Sequence, residues 1–218
     1  MYIFPKDFQS FIELITTFKN LKILVSLVKT MTPSIENNLQ KFISLESADL
    51  NLFLSKCDLK VYAKNDCFIQ KGKKCDYLGF IVKGALVCVY DKDGDEVIDE
   101  FSLENEFIAD YKNFIDVTNA EKDVRCIEHS EILVIQREDL YELYEKHHNF
   151  ERVGRLIAES LFKNWQEKSI SLVMDDAKKR YEKLINMRPS LVQRVPQYLI
   201  ASYLGITPQS LSRIRKEK

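Results

Sequence analysis

The side chains that could carry chemistry are few and unevenly placed. Three histidines occur, His129, His147 and His148, and only His129 falls in the β-rich part of the sequence. A metal centre of the cupin kind would need two or three imidazoles and a carboxylate in that part, so no metal and no enzymatic activity are expected. His147 and His148 lie in Glu-Lys-His-His-Asn, a composition that reads as a solvated helix end and not as a haem ligand pair. Five cysteines, Cys57, Cys67, Cys75, Cys88 and Cys126, stand 10, 8, 13 and 38 residues apart with no C-x-x-C pair. That spacing fits reduced thiols better than a disulfide frame, a zinc site or an iron–sulfur cluster, so no cofactor is expected.

The remaining chemistry is ionic and sits at one end. Residues 177–218 hold ten Lys or Arg against Glu182 and Glu217, a balance of +8 that leaves −9 for residues 1–176 of a chain whose total is −1. A basic end on an acidic body suggests a polyanionic partner for the C-terminal part alone. Within it, Leu199, Ile200 and Leu204 mark a short apolar-faced helix, and the small Ala201 allows a second helix to cross closely. Gly205 supplies a permissive turn, Ile206 fills the angle, Thr207 is an N-cap and Pro208 a first helical residue. In the second helix Leu211 and Ile214 face inward. Gln209, Ser210, Ser212, Arg213 and Arg215 stay outside, a hydrogen-bonding and cationic surface suited to the major groove of duplex DNA.

Three groups of elements must position that surface. Residues 57–136 alternate or run β-branched and aromatic, with four of the six glycines between Gly72 and Gly94 and a hairpin signal at Asp93-Gly94. They predict about eight short antiparallel strands. From Glu138 the spacing turns helical, with Phe150, Val153, Ile157, Leu161 and Trp165 on one stripe and Leu156 and Phe162 on another. Packing on the β domain uses one stripe, so Val153, Ile157, Leu161 and Trp165 are candidates for a seam to a second copy. Asp175-Asp176 then opens a cluster of short helices. The fold class expected is α+β: an N-terminal extension (1–36), an antiparallel β-roll (37–137), a linker and dimerisation helix (138–174), and an all-α helix-turn-helix domain (175–218). Phe8, Phe11, Ile12, Ile15 and Phe18 could form an amphipathic helix in the extension, followed by the apolar stretch 21–28. No run approaches the ~20 apolar residues of a membrane span, and Lys6, Asp7, Glu13 and Lys19 interrupt any leader, so a cytoplasmic protein is expected.

The pattern Val195-Pro196-Gln197…Ile200-Ala201…Leu204-Gly205-Ile206-Thr207…Leu211-Ser212-Arg213-Ile214-Arg215 resembles the DNA-reading segment of Crp/Fnr bacterial transcription regulators. The run Cys75-Asp76-Tyr77-Leu78-Gly79-Phe80-Ile81-Val82-Lys83-Gly84 is similar to that family's cyclic-nucleotide-binding roll. The resemblance covers about residues 38–218. It implies a jelly-roll-like sensing domain, a homodimer, and reading heads on a two-fold symmetric site. Pro208, Gln209 and Arg213 fall where the family's recognition helix faces bases, with Thr207, Ser210, Ser212, Arg215 and Lys216 around them. Expected partners are duplex DNA, a second copy, RNA polymerase and an unidentified small effector.

Two departures from the family qualify what the resemblance implies. Its cyclic AMP binders use a Gly-Glu-Leu stretch and, ten residues after the Glu, an Arg-Ser or Arg-Thr pair. Here Ala109-Asp110-Tyr111 follows Phe107-Ile108, and the pair becomes Ala120-Glu121. Without the guanidinium, and with a carboxylate at 121 facing a phosphate, cyclic AMP is not the expected effector, although Lys112 or Lys122 could substitute through another geometry. With Lys218 last, the expectation is a reader without the family's β-hairpin wing, whose phosphate contacts pass to Arg215, Lys216, Lys218 and residues 178–183. The competing expectation is a ligand-sensing roll whose C-terminal helices contact another protein.

Overall fold

The period-2 alternation of residues 57–136 folds into eight strands, and a computed structural model describes residues 47–217. The extension's residues 8–18 and 21–28, and Lys218, lie outside the described residues. β1 (Cys57–Tyr62), β8 (Ser130–Gln136), β3 (Tyr77–Lys83) and β6 (Phe107–Ile108) form one antiparallel sheet in that order. β2 (Cys67–Ile69), β7 (Asp123–Cys126), β4 (Leu86–Lys92) and β5 (Asp95–Ser102) form the other. Asp93 and Gly94 both have positive φ, which gives the β4–β5 hairpin the backbone twist that flanking strands require. The roll's core holds Phe68, Phe80, Ile81, Cys88, Val124, Ile132 and Ile135, all at most 3% exposed.

Helices close this roll. α1 (Ser47–Ser55) precedes β1, α2 (Tyr111–Asp116) joins β6 to β7, and α3 (Arg137–Lys146) follows β8. The helical pattern expected to start at Glu138 is interrupted at His147, whose extended backbone (φ −137°, ψ 102°) separates α3 from α4 (His148–Met174). The interruption lets α4 fold back: Leu140 and Leu143 of α3 and Phe150 and Val153 of α4 join the roll's core, with Phe53 of α1 stacked on Phe150 at 6.2 Å.

α4 and the next helix are joined by Asp175 and Asp176 alone. α5 (Ala177–Met187), α6 (Pro189–Arg194), α7 (Gln197–Tyr203) and α8 (Pro208–Lys216) complete the described chain. Asp176 caps α5 by accepting from Lys179 N at 2.8 Å. The head does not enclose a core of its own. Leu191, Leu199, Ile200, Leu204 and Leu211 are buried together with Ala85, Val87, Ile98 and Phe101 of the roll. The face of β4 and β5 turned away from the roll's interior is therefore covered by the head.

Candidate nucleic-acid interface

The α7–α8 unit is built by local signals. Leu199, Ile200 and Ala201 are buried, and Gly205 adopts φ +67°, a conformation costly for other residues. The turn closes with Ile206 N donating to Ala201 O at 3.0 Å. Thr207 has extended φ/ψ and its Oγ1 accepts from Ser210 N at 3.2 Å, capping α8 one residue before Pro208. Leu211 is 1% exposed and fixes α8 to the rest of the head.

That anchoring turns the polar residues outward. Thr207, Pro208, Gln209, Ser212, Arg213, Arg215 and Lys216 are exposed and Ser210 is half-buried. Gln209, Ser212, Arg213 and Lys216 recur at spacings of three and four and so share one side of the helix. Ser210 Oγ receives a hydrogen bond from Thr207 Oγ1 at 3.0 Å, so both hydroxyls serve the cap.

A second arginine set is turned inward: Arg180, expected among residues 178–183 to contact phosphates, and Arg188 and Arg194, expected only to add positive charge. Arg180 of α5 donates to Leu204 O at 2.8 Å, an orphan carbonyl at the end of α7, and to Asp175 O at 2.6 Å. Arg188 donates to both oxygens of Glu106, at 2.6 and 2.8 Å, and to Phe101 O at 2.8 Å. Arg194 forms two parallel 2.8 Å bonds to Glu104 and also pairs with Glu128. These hydrogen bonds raise the already high pKa of Arg194. Burial pushes the Glu104 carboxyl up, but the Arg194 guanidinium and the Gly84 amide outweigh it and hold the group below the usual range. Three of the ten basic residues counted toward a polyanion are thus spent inside the molecule, and Lys183 pairs with Asp175.

Residues expected to line the effector pocket are bonded within the roll. Asp110 is 2% exposed, and its carboxylate accepts from Glu121 N and from Asn113 Nδ2, both at 2.9 Å. Glu121 does not face the cradle as expected: its side chain is exposed and pairs with Lys112 at 3.1 Å, while its amide turns inward. Ala120 is buried, Ala109 half-buried and Tyr111 exposed; Phe107 packs edge-on to Phe80 at 5.1 Å. Lys122, buried, is held 3.0 Å from Asp99, which also receives Lys168 of α4 at 3.0 Å. Both lysines that could have replaced the missing guanidinium are therefore paired with carboxylates.

On α4 the two apolar stripes separate along the helix rather than around it. Val153 is buried on its own roll and Ile157 packs against the same core, whereas Leu161, Phe162 and Trp165 are exposed, the last two at 64%. Of the seam residues expected, Leu161 and Trp165 stand free and Val153 does not. Leu172, Val173 and Met174 continue the exposed stretch.

Redox chemistry finds little support in the thiols. Burial pushes Cys88 up to about 12 and Cys75 and Cys126 up to about 11, which keeps all three protonated and unreactive. Among the described residues no cluster of His, Cys, Asp or Glu could hold a metal ion, and no helix is long and apolar enough to cross a membrane.

Comparisons with known proteins agree with this architecture. Residues 59–147 match the family model of the cyclic nucleotide-binding domain. No curated protein matches the sequence. The chain is similar in structure to the c-di-GMP responsive global regulator CLP of Xanthomonas campestris (17% identity, 79% of this chain and 91% of that one, TM-score 0.60). It is similar to FixK2 from Bradyrhizobium japonicum (15%, 74% and 83%, TM-score 0.62) and to a Crp/Fnr transcriptional regulator from Eubacterium rectale (12%, 79% and 83%, TM-score 0.61). At such identities the likeness is one of fold.

Proposed function

From a chain that carries a cyclic nucleotide-binding domain and has the fold of Crp/Fnr transcription regulators, we propose a cytoplasmic, sequence-specific DNA-binding regulator that acts as a homodimer on a two-fold symmetric site. The observation that carries this reading is α8: a capped helix anchored by Leu211, whose Gln209, Ser212, Arg213 and Lys216 side is exposed, hydrogen-bonding and cationic. Arg213 and Gln209 read base edges, since a guanidinium matches guanine O6 and N7 and a carboxamide matches adenine N6 and N7. Ser212 supports them. Thr207, Ser210, Arg215 and Lys216 contact phosphates, and Pro208, which has no N–H, contributes shape. The homodimer is supported by the exposed Leu161, Phe162 and Trp165 of α4. Cyclic AMP is a poor fit as effector, because the Asp110 carboxylate already holds the Glu121 amide and no guanidinium stands at Ala120.

Selection from a random duplex pool tests the reading. The expected product is an inverted repeat with half-sites about one helical turn apart, bound with steep salt dependence. Arg213→Ala is expected to relax preference at one base position by roughly 1–3 kcal/mol, and Lys216→Ala to weaken all sequences alike and reduce the salt slope by about 1. A pool without an enriched palindrome, or absence of saturable retention at low salt, overturns it in favour of a head that contacts protein.

A further inference from the structure

The roll and the head meet through a clamp whose parts come from three separate places in the roll. Glu104 and Glu106 lie between β5 and β6, and Glu128 lies between β7 and β8. The roll itself bonds the Glu104 and Glu106 carboxylates and the Glu128 backbone carbonyl. Glu104 Oε1 accepts from Gly84 N at 2.9 Å, between β3 and β4. Glu106 Oε2 accepts from Leu103 N at 3.1 Å, and Glu128 O accepts from Ser130 Oγ at 2.9 Å. Onto these glutamates the head inserts Arg194 as a two-pronged donor to Glu104, and Arg188, whose Nη2 donates to both Glu106 oxygens while its Nη1 donates to Phe101 O. Isolated surface ion pairs contribute little, but forked arginine pairs on preset acceptors within a network are the exception.

The shared apolar core of head and roll is non-directional, and among the described residues these charged, directional bonds add orientation to it. Only Asp175 and Asp176 separate α4 from α5, a joint that leaves the head free to turn unless other contacts stop it. Beside the clamp a cavity of about 340 Å³ opens between residues 103–106 of the roll and 187–190 of the head, so the two surfaces touch through the arginines rather than through continuous packing at that edge. Further along the seam, Ile98 N donates to Ser202 Oγ at 3.2 Å and Tyr203 packs on Phe101 at 5.4 Å.

We propose that Arg188 and Arg194 are positioning residues that latch the head to its own roll, so that displacement of the roll's β3–β4, β5–β6 or β7–β8 loops is delivered directly to α8. The roll's signal then bypasses the cradle around Asp110. The consequence for DNA rests on the reading proposed above; the latch does not.

Hydrogen–deuterium exchange of the full chain, without DNA, tests it. In Arg188→Ala/Arg194→Ala, the Ile98 amide and the amides of α7 and α8 are expected to exchange at least tenfold faster, while Ile132 and Val134 in the roll's core keep their protection. Arg194→Lys, which keeps the charge and loses the fork, is expected to give an intermediate rise, and it carries the test if the double variant loses protection throughout. Glu104→Gln is expected to add almost nothing once Arg194 is Ala, as for two members of one contact. Head exchange within twofold of wild type, or full additivity of Glu104→Gln and Arg194→Ala, overturns the latch. A chain that shows this uncoupling yet selects no DNA sequence sinks the DNA reading and leaves the latch standing.

Discussion

Gly84→Ala is expected to destabilise the protein by on the order of 3 kcal/mol or more, the combined cost of a left-handed conformation and of overpacking. Gly84 has φ +111°, and a Cβ there would lie 2.2 Å from Ser130 Oγ and 2.8 Å from Ser130 Cα. The second of these contacts is to backbone and cannot be relieved by a rotamer change. Ser130 is completely buried on β8, so the strand would have to move. The damage spreads because Gly84 N steadies the Glu104 carboxylate and Ser130 Oγ the Glu128 backbone carbonyl, in the two residues that receive Arg194. Gly72→Ala separates the two costs: its φ is +81° but nothing lies within 4 Å of the added carbon, so only about 1–2 kcal/mol of backbone strain is expected. Urea unfolding followed by circular dichroism measures both. Equal losses in the two variants would show that the contact with Ser130 is relieved elsewhere.

The second large effect is expected on association. Trp165→Ala should weaken self-association by a hundredfold or more, the range of an aromatic anchor losing roughly 3 kcal/mol at the centre of an interface. Trp165 is 64% exposed and leans on Phe162 with ring centroids 6.4 Å apart. Leu161 one turn earlier and Leu172 and Val173 two turns later extend an apolar surface that the roll does not cover. Analytical ultracentrifugation across a concentration series reads the change directly. An unaltered dimerisation constant in Trp165→Ala would move the seam away from this part of α4. Arg155→Ala, on the same helix and exposed, is the control and should leave association nearly unchanged.

These two cases also show what the amino-acid sequence discloses. The hairpin at Asp93-Gly94 and the cap at Thr207-Pro208 were legible because each is decided by residues two or three apart, through backbone conformation and a single hydrogen bond. The α+β class followed from the change of period near residue 137. The head–roll clamp was not legible. Arg188 meets Glu106 across 82 residues and Arg194 meets Glu104 across 90, and a count of charges cannot say whether a cation faces solvent, a phosphate or its own chain. The asymmetry of +8 against −9 pointed outward to a polyanion, but part of it is resolved inward, because the acidic roll is itself the nearest polyanion.

The cradle shows a different limit. Aligning Ala120-Glu121 with the family's clamp identified a loss of positive charge, and reasoning from residue type placed the Glu121 carboxylate against the ligand. The fold reverses its orientation, sending the side chain to Lys112 and the amide to Asp110. α4 is similar: two stripes at helical spacing were legible, but which stretch of them the roll covers depends on where α3 ends, and His147 decides that through its backbone.

β5 is the last strand of its sheet, bonded on one side to β4 alone, and Ser202 of the head caps its open side at Ile98 N and Glu96 O. The head is therefore also a guard. With residues 175–218 removed, β5 would offer unpaired amides and carbonyls beside bared Val87, Val89 and Phe101, the template on which one sheet adds to another. Its removal is expected to leave the roll prone to edge-to-edge association.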